Sequence, residues 1–314
     1  MKRLVTIGEI LVEIMAVEPG QGFRHPIPLI GPFASGAPAI FIDQAARLGQ
    51  PCAIVSSVGN DDFGRMCVDR LRRDGVDVSG IGLDPERPTG SAFVRYRPDG
   101  ARDFVFNIRH SACASTALTG EANALLESAD HLHVMGTSLF SDAMVELTRS
   151  AISSVRQRGG TTSFDPNLRR EMIELPGLRE ALDFICGEAD LLMPSGNELF
   201  LLADAASEAE AVRQLLARGA RAVVLKRGRD GASYFDANGE VFAPAHAVDE
   251  VDPTGAGDCF GATFVCCWLR DMPPPQALAY ANASGALAVR KRGPMEGTSS
   301  LAEIRAFIGE GAQL

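Results

Sequence analysis

The sequence is poor in aromatic residues, in basic relative to acidic charge, and in long uncharged apolar runs. Aromatic residues make up 6% of the 314 residues, and 40 acidic residues face 30 basic ones, which gives a net charge of −10. An acidic surface repels phosphate backbones, so we expect no nucleic-acid partner. With 46% hydrophobic residues, 32 Gly and 18 Pro, the composition excludes a disordered, collagenous or coiled-coil chain and suits a compact α/β protein.

No segment predicts export or a membrane span. The first residues are basic and then apolar, but Glu9 and Glu13 interrupt the run and no small-residue cleavage site follows, so a β-strand is expected. No uncharged run reaches the roughly 18 residues that span a bilayer. Seven cysteines without a CxxC pair predict buried reduced thiols, and the five histidines lack metal-ligand spacing. We therefore expect a cytoplasmic protein with no membrane partner.

Short apolar runs alternate with amphipathic stretches along the chain. This pattern predicts a mainly parallel α/β sheet with helices on both faces. The predicted strands are 52–59, 131–136, 161–165, 189–194 and 221–228, and the predicted helices are 37–48, one opening at Asp61 or Asp62, 142–158, 197–203 and 207–218.

Two segments, about 8–32 and 88–112, break this rhythm. They alternate polar and apolar residues, and the second contains a turn signal at 98–100. Such a pattern fits a half-solvated antiparallel patch better than a buried sheet. We therefore expect one domain over 1–314 with a small β-sheet lid made of these two segments.

The sharpest motif is the run Gly255, Ala256, Gly257, Asp258 in front of an apolar helix. Small residues let backbone N–H groups converge at a helix N-terminus, where the dipole favours an anion. The carboxylate that follows can accept a proton from an attacking hydroxyl while the amides hold a phosphoryl group. The alternative is that Asp258 only caps the helix. A Walker loop and a GxGxxG fingerprint both fail on spacing.

These residues resemble the ribokinase-like, or PfkB, carbohydrate kinases. DPTGAGDCFGATFV is similar to the C-terminal signature of that family, except at Thr263. Segments in the family's order also match: 35–49, 58–76, 164–169, 225–232 and 280–289. The resemblance implies a ribokinase-like fold and transfer of a phosphoryl group from ATP, which carries Mg²⁺, to a sugar hydroxyl.

The resemblance also implies roles for individual residues. Asp258 would be the catalytic base, and Gly255, Ala256 and Gly257 the anion hole. The residues expected to border the nucleotide are Asn167, Lys226, Gly228, Gly231 and Asn282, although Lys226 could also be a solvated strand end. Asp252 and Thr254 match positions that hold a monovalent cation, K⁺, in some members. Glu198 matches a magnesium-associated NxxE motif in which Ser195 replaces the Asn.

On the sugar side, the resemblance implies that Glu9, Gly36 and Ala37 lie near the substrate. Ser35 and Ile40 depart from the usual GGxxAN pattern. Asp165 and Arg169 belong to a DxNxR element whose arginine lies near phosphate, although Arg169 could instead pair with a neighbouring glutamate. Arg109 could meet a sugar carboxylate or close a dimer contact.

The expected activity is phosphorylation of a keto-sugar or keto-sugar acid, such as 2-keto-3-deoxygluconate, fructose or tagatose. One alternative is a nucleoside kinase of the same fold, in which lid aromatic residues (Phe93, Tyr96, Phe104 and Phe106) would stack on a base. Another is a non-catalytic sugar-binding protein. Because exposed strand edges favour pairing, we expect a homodimer through the lids.

Overall fold

The computed structural model describes residues 1–20, 22–98, 102–168 and 177–309, and its strands form two sheets. The strands are β1 (Leu4–Ile7), β2 (Leu11–Ala16), β3 (Leu29–Ser35), β4 (Cys52–Gly59), β5 (Ile81–Asp84), β6 (Gly90–Tyr96), β7 (Arg102–Asn107), β8 (His131–Met135), β9 (Thr161–Asp165), β10 (Leu191–Leu192), β11 (Ala222–Lys226), β12 (Ala232–Asp236) and β13 (Gly239–Ala243).

The large sheet has the order β13-β12-β11-β10-β9-β8-β1-β4-β5. The strands from β11 to β5 pair in parallel, which confirms the predicted fold class. The strand predicted over 189–194 is shorter, because only Leu191 and Leu192 pair regularly with both neighbours. The antiparallel hairpin β12–β13 was not predicted. It lies at the sheet edge, where one face is solvated and the apolar run is weak.

Helices cover both faces of this sheet, as predicted. They are α1 (Ala37–Arg47), α2 (Asp62–Arg73), α3 (Gly120–Glu127), α4 (Asp142–Gln157), α5 (Leu178–Glu188), α6 (Leu199–Leu202), α7 (Glu208–Ala217), α8 (Ala256–Leu269), α9 (Pro274–Ala288) and α10 (Leu301–Phe307). One apolar core lies under α1, α2 and α8–α10, and the other lies under α3–α7. The two cores bury the strands on both sides, which explains their continuous apolar sequence.

The small sheet has the order β3-β2-β6-β7 and draws its strands from the two segments expected to form a lid. Its outer pairs are antiparallel, but its central pair, β2 and β6, is parallel. The expectation of a purely antiparallel patch is therefore wrong. The reason is that β2 and β6 are not joined by a turn, so no hairpin dictates an antiparallel pairing. Of the turn expected at 98–100, Asp99 and Gly100 lie outside the described residues.

All seven cysteines are buried and unpaired, as the sequence predicts. Over the described part of the chain, no helix is both long and apolar enough to cross a bilayer.

The carboxyl ends of the parallel strands carry polar residues. Glu9 follows β1, Ser138 follows β8, Asp165 ends β9 and Lys226 ends β11. In open α/β sheets this edge is where ligands bind. The small sheet stands over the same edge, so the functional site is expected between the two sheets.

Candidate active site

A cavity of about 1250 Å³ opens between the carboxyl edge of the large sheet and the small sheet. Of the site residues predicted from the sequence, it is lined by Glu9, Gly36, Ala37, Arg109, Asn167, Lys226, Thr254, Gly255, Gly257 and Asp258. Ala256, Asp165, Glu198, Asp252, Gly228, Gly231 and Asn282 lie outside this lining. Arg169 lies outside the described residues.

A tight turn at Gly255 creates the start of α8. Gly255 is the N-cap residue with a φ of 81°, in the left-handed region that glycine tolerates. A Cβ there would lie 2.4 Å from the carbonyl oxygen of Pro294, so a larger residue has no room. The turn presents the first amides of α8 to the cavity, together with the positive end of the helix dipole.

Asp258 lies in the first turn of α8 and is 7% exposed at the cavity wall. Asn167 Nδ2 donates a 3.2 Å hydrogen bond to its Oδ1. The alternative that Asp258 serves as the helix cap is wrong, because Gly255 occupies that position and no side chain caps the helix. Asp258 therefore lines the cavity in which a reactant would bind.

Lys226 is buried rather than solvated, so the alternative of a solvent-exposed strand end is wrong. Its ammonium group forms an ion pair and a hydrogen bond with Asp165 Oδ2. Burial raises the pKa of the Asp165 carboxyl, and the neighbouring Lys226 opposes that rise. The pKa of Glu198 is raised in turn by burial and by the proximity of Asp165. The ammonium group of Lys226 thus lies among carboxylates. It is next to the turn at Gly255, which we call the anion-binding turn.

The other residues assigned to the nucleotide form a second group. Gly231 has a φ of 113°, and a Cβ on it would lie 2.2 Å from the carbonyl oxygen of Ala243. Asn282 donates 3.1 Å hydrogen bonds to the carbonyl oxygens of Ala243 and Pro244. These two residues hold the chain that follows β13 against α9. They shape the edge of the site and do not line the main cavity.

Two buried carboxylates occupy the floor of the cavity below the small sheet. Ser138 Oγ donates to Glu9 Oε2 at 2.7 Å, and Ser35 Oγ donates to Glu13 Oε2 at 2.9 Å. Gly36 has a φ of 110°, and a Cβ there would lie 2.3 Å from the carbonyl oxygen of Glu9. That close contact lets α1 begin directly against the strand end. Acceptors fixed in this way suit a polyhydroxylated ligand, whose hydroxyl groups can donate to them.

Two arginines reach the cavity from the small sheet. The strand β7 ends at Asn107, and Arg109 follows in an exposed turn. Arg102, at the start of β7, also lines the cavity, and its Nη1 donates to Thr254 Oγ1 at 2.7 Å. These two arginines and Lys226 supply positive charge for an anionic ligand within an otherwise acidic protein.

The residues matched to a cation site form one hydrogen-bonded loop before α8. Asp252 is fully buried, and its Oδ1 accepts from Thr254 Oγ1 at 2.7 Å and its Oδ2 from the Gly293 amide at 3.0 Å. The Thr254 hydroxyl donates to Asp252 and accepts from the positively charged Arg102, and charge repulsion from that guanidinium group disfavours K⁺ at this hydroxyl. Asp252 is the acidic residue of this loop.

Glu198 is held by backbone amides at the carboxyl edge of the sheet. Its oxygens accept from the amides of Ser195 at 2.7 Å and Leu168 at 3.0 Å, and Ser195 forms a reciprocal capping box with it. A carboxylate fixed in this way can accept from water ligands of a magnesium ion. Within the described residues, no group of three or more His, Cys, Asp or Glu converges as a metal cage. Glu198 and its surroundings therefore suit a metal ion that binds together with the phosphate groups of a ligand.

Glu13 and Arg102 are among the cavity residues that were not predicted from the sequence as ligand-facing. Glu13 was interpreted only as a charge that interrupts an apolar run, yet it lies on the same face of β2 as Leu11 and lines the cavity floor. Arg102 gave no signal, because its contact with Thr254 spans 152 positions. Local periodicity could have placed Glu13, whereas only the docked small sheet places Arg102.

Comparison with protein families and with known proteins shows what this chain is similar to. The model of the pfkB family carbohydrate kinases matches residues 1–301. The chain is 33% identical over 316 residues to 2-dehydro-3-deoxygluconokinase of Thermoproteus tenax, covering 98% of this chain and 94% of that protein.

Solved structures share the fold over its whole length. An E. coli protein provisionally named ribokinase II, in complex with ATP and Mg²⁺, is 48% identical with a TM-score of 0.94, covering 98% of this chain and 99% of that one. A double mutant of fructokinase from Vibrio cholerae O395, with fructose, ADP and potassium ion bound, is 28% identical with a TM-score of 0.81, covering 98% of both chains.

Proposed function

Because this chain belongs to the pfkB family of carbohydrate kinases, we propose that it phosphorylates a hydroxymethyl group of a six-carbon keto-sugar or keto-sugar acid. The substrate class comprises 2-keto-3-deoxygluconate, fructose and tagatose. The observation that carries the proposal is the position of Asp258, in the first turn of α8 directly after the anion-binding turn and in the same cavity as Glu9 and Arg109.

The charges that line the cavity suggest which part binds the sugar and which part binds the nucleotide. The sugar lies below the small sheet, where Glu9 and Glu13 accept from its hydroxyl groups. The phosphates lie against Gly255, Ala256 and Gly257, and the rest of the nucleotide extends past Asn167 and Lys226 towards Gly228, Gly231 and Asn282. A carboxylated sugar would pair with Arg109, because a guanidinium group binds a carboxylate through two hydrogen bonds. Arg169 remains a predicted contact on this side of the site, whereas Asp165, also predicted to contact the substrate, is fully buried outside the cavity lining.

The chain's own groups supply the steps of transfer. Asp258 accepts the proton of the attacking hydroxyl group, and Asn167 fixes the orientation of its carboxylate. The amides of the turn stabilise the charge on the phosphoryl group during transfer. The small sheet covers the sugar and excludes water, which limits hydrolysis of ATP.

Mg²⁺ bound to ATP supplies charge neutralisation at the phosphates, and Glu198 is the residue that would hold its water ligands. A potassium requirement stays a prediction based on the Asp252 carboxylate. The V. cholerae fructokinase with its bound potassium ion supports it. The hydrogen bond from Arg102 to the Thr254 hydroxyl argues against that hydroxyl as a ligand.

The test is an ADP-release assay with Mg-ATP and a panel of keto-sugars, keto-sugar acids and nucleosides. We expect turnover with one six-carbon keto compound well above the others. If that compound is an acid, Arg109→Ala should raise its KM about tenfold or more, whereas a neutral substrate should be nearly insensitive to this change. ATP binding without turnover on any compound would contradict the proposal and favour a sugar-binding protein.

A nucleoside kinase is the second candidate, and one observation favours it. Phe104 and Phe106 line the cavity and stack with ring centroids 5.0 Å apart. A nucleobase could extend such a stack. Turnover with a nucleoside and not with hexoses in the same assay would select this candidate.

We also propose a homodimer formed through the small sheets. Leu29, Ile30 and Val105 on its two edge strands are 37–49% exposed, which is unusual for large apolar side chains. Light scattering after size-exclusion chromatography should give twice the mass of one chain. Ile30→Asp should shift the protein to the monomer, whereas a wild-type mass of one chain would contradict the dimer.

A further inference from the structure

The buried ion pair between Lys226 and Asp165 has a precise setting under α8. Lys226 ends β11 and its side chain lies on the same face as Val224, which belongs to the core beneath α8. Two glycines of α8 one turn apart face this pair. A Cβ on Gly257 would lie 4.0 Å from Lys226 Nζ, and a Cβ on Gly261 would lie 3.7 Å from Asp165 Oδ2. The helix therefore approaches the ion pair closely.

Lys226 is also part of the wall of the reactant volume. Lys226 lines the cavity together with Gly257 and Asp258, while Asp165 is fully buried behind it. Asp165 thus contacts the lysine from the core side, and the cavity lies on the other side. This geometry gives a fixed positive charge beside the anion-binding turn.

The choice of lysine is unusual for this chain. Of the 30 basic residues, 27 are arginine, and the other two lysines, Lys2 and Lys291, are exposed. A lysine ammonium group is a compact point charge, whereas guanidinium is planar and larger. The space under Gly257 and Gly261 suits the smaller group.

We propose that Lys226 is a catalytic residue that contacts the γ-phosphoryl group during transfer, and that Asp165 is a positioning residue that holds it there. This inference rests on the proposed kinase function and deepens it. The bond between the γ-phosphorus and the oxygen that bridges to the β-phosphate breaks, and its electron pair leaves with ADP. The sugar oxygen forms the new bond to phosphorus and gives its proton to Asp258. Lys226 stabilises the negative charge on the phosphoryl oxygens and exchanges no proton.

The first measurement is steady-state kinetics of Lys226→Met with the sugar that gives the highest turnover. Removing one preorganised donor to a developing charge typically lowers kcat about 10²–10³-fold. We expect that loss in kcat, with the KM of the sugar changed less than about threefold, because the sugar does not touch the ammonium group. Lys226→Arg should not restore the rate, and the exposed control Lys2→Met should match the wild type.

Binding separates a catalytic role from a structural one. ADP with aluminium fluoride and the sugar mimics the phosphoryl group in transfer. We expect the wild type to bind this combination more tightly than ADP alone, and Lys226→Met to lose most of that gain while keeping its affinity for ADP. Asp165→Asn should lower kcat about tenfold, since the ammonium group remains but is held less firmly.

Because Lys226→Met leaves Asp165 buried without its cation, Lys226→Met/Asp165→Asn is measured alongside, with its melting temperature. The double variant should fold and show the same loss of kcat. If either folded variant retains kcat within threefold of the wild type, Lys226 is not catalytic and only this inference fails. If the wild type binds ADP but turns over no sugar, the proposed function fails and this inference falls with it.

Discussion

At the scale of single residues, the chemistry depends on a few side chains whose surroundings are set by close backbone contacts. Asp258 takes its place from the left-handed turn at Gly255, and Asn167, itself at a positive φ of 36°, orients its carboxylate. Neither residue is long or flexible. The site is therefore preorganised before a substrate enters, which is the condition for efficient electrostatic stabilisation.

Asp258→Asn tests the base directly. The amide has the shape of the carboxylate but cannot accept the proton, so kcat should fall by at least about 10²-fold. The melting temperature and the Kd of ADP should stay near the wild-type values. Asp69→Asn, an exposed change on α2, serves as the control. Near-normal turnover of Asp258→Asn would assign the proton to another group.

At the scale of elements, the tip of the β6–β7 hairpin touches the loop that leads into α8. Tyr96 and Arg102 are paired across the two strands. Arg102 donates to Thr254, and the Asp252 carboxylate together with burial raises the pKa of the Tyr96 phenol. The strand pair that covers the proposed sugar region is thus bonded to the segment that carries the anion-binding turn. Movement of the hairpin would disturb both halves of the site.

Arg102→Gln should loosen this connection. We expect the KM of the sugar to rise about tenfold, as loss of a hydrogen bond from a charged donor predicts. Hydrogen exchange of the β7 amides should also become faster in the protein without ligands. Arg97→Gln is the matched control, because Arg97 lies in the same hairpin and pairs with Asp103 rather than with the loop. Equal effects of the two changes would show that the contact with Thr254 is unimportant.

At the scale of the whole molecule, a buried polar chain crosses the centre of the large sheet. His131 hydrogen-bonds Thr161 and Ser163 at 2.7 Å, and Ser163 also bonds His133 at 2.7 Å. Both imidazoles are completely buried, and burial lowers the pKa of His131 to about 3 and that of His133 well below its usual value. The folded protein therefore holds two neutral histidines that the unfolded chain protonates in mild acid.

Stability should fall as the pH drops below about 6.5, because the unfolded chain then binds protons that the native His131 does not bind until about pH 3. At pH 5, His131 should lower the free energy of unfolding by about 2 kcal/mol relative to pH 7. Urea unfolding at pH 7 and pH 5 measures it. From pH 7 to pH 5, the free energy of unfolding should decrease by about 2 kcal/mol less in His131→Gln than in the wild type.

The exposed His25→Gln should leave the pH dependence unchanged. Subtracting the loss in His131→Gln from the loss in the wild type removes the opposite contribution of Asp43, which both proteins share. Burial raises the pKa of that carboxyl to about 7, so it favours the folded state as the pH falls. An identical pH dependence in the wild type and His131→Gln would contradict the prediction.

The amino-acid sequence by itself determined the elements with strong local patterns. Continuous apolar strands between amphipathic helices require a parallel sheet covered on both faces, and three small residues before Asp258 require a tight turn at a helix start. These depend on neighbours within a few positions. The weakly patterned hairpin β12–β13 was therefore not predicted. The pairing of β2 with β6 was wrongly predicted to be antiparallel.

Only the tertiary structure decided which distant residues meet. The ion pair of Lys226 with Asp165 and the contact of Arg102 with Thr254 join positions 61 and 152 residues apart. Such contacts arise from the packing of complete elements. No local periodicity encodes them, since each partner would look like an ordinary charged residue in its own segment.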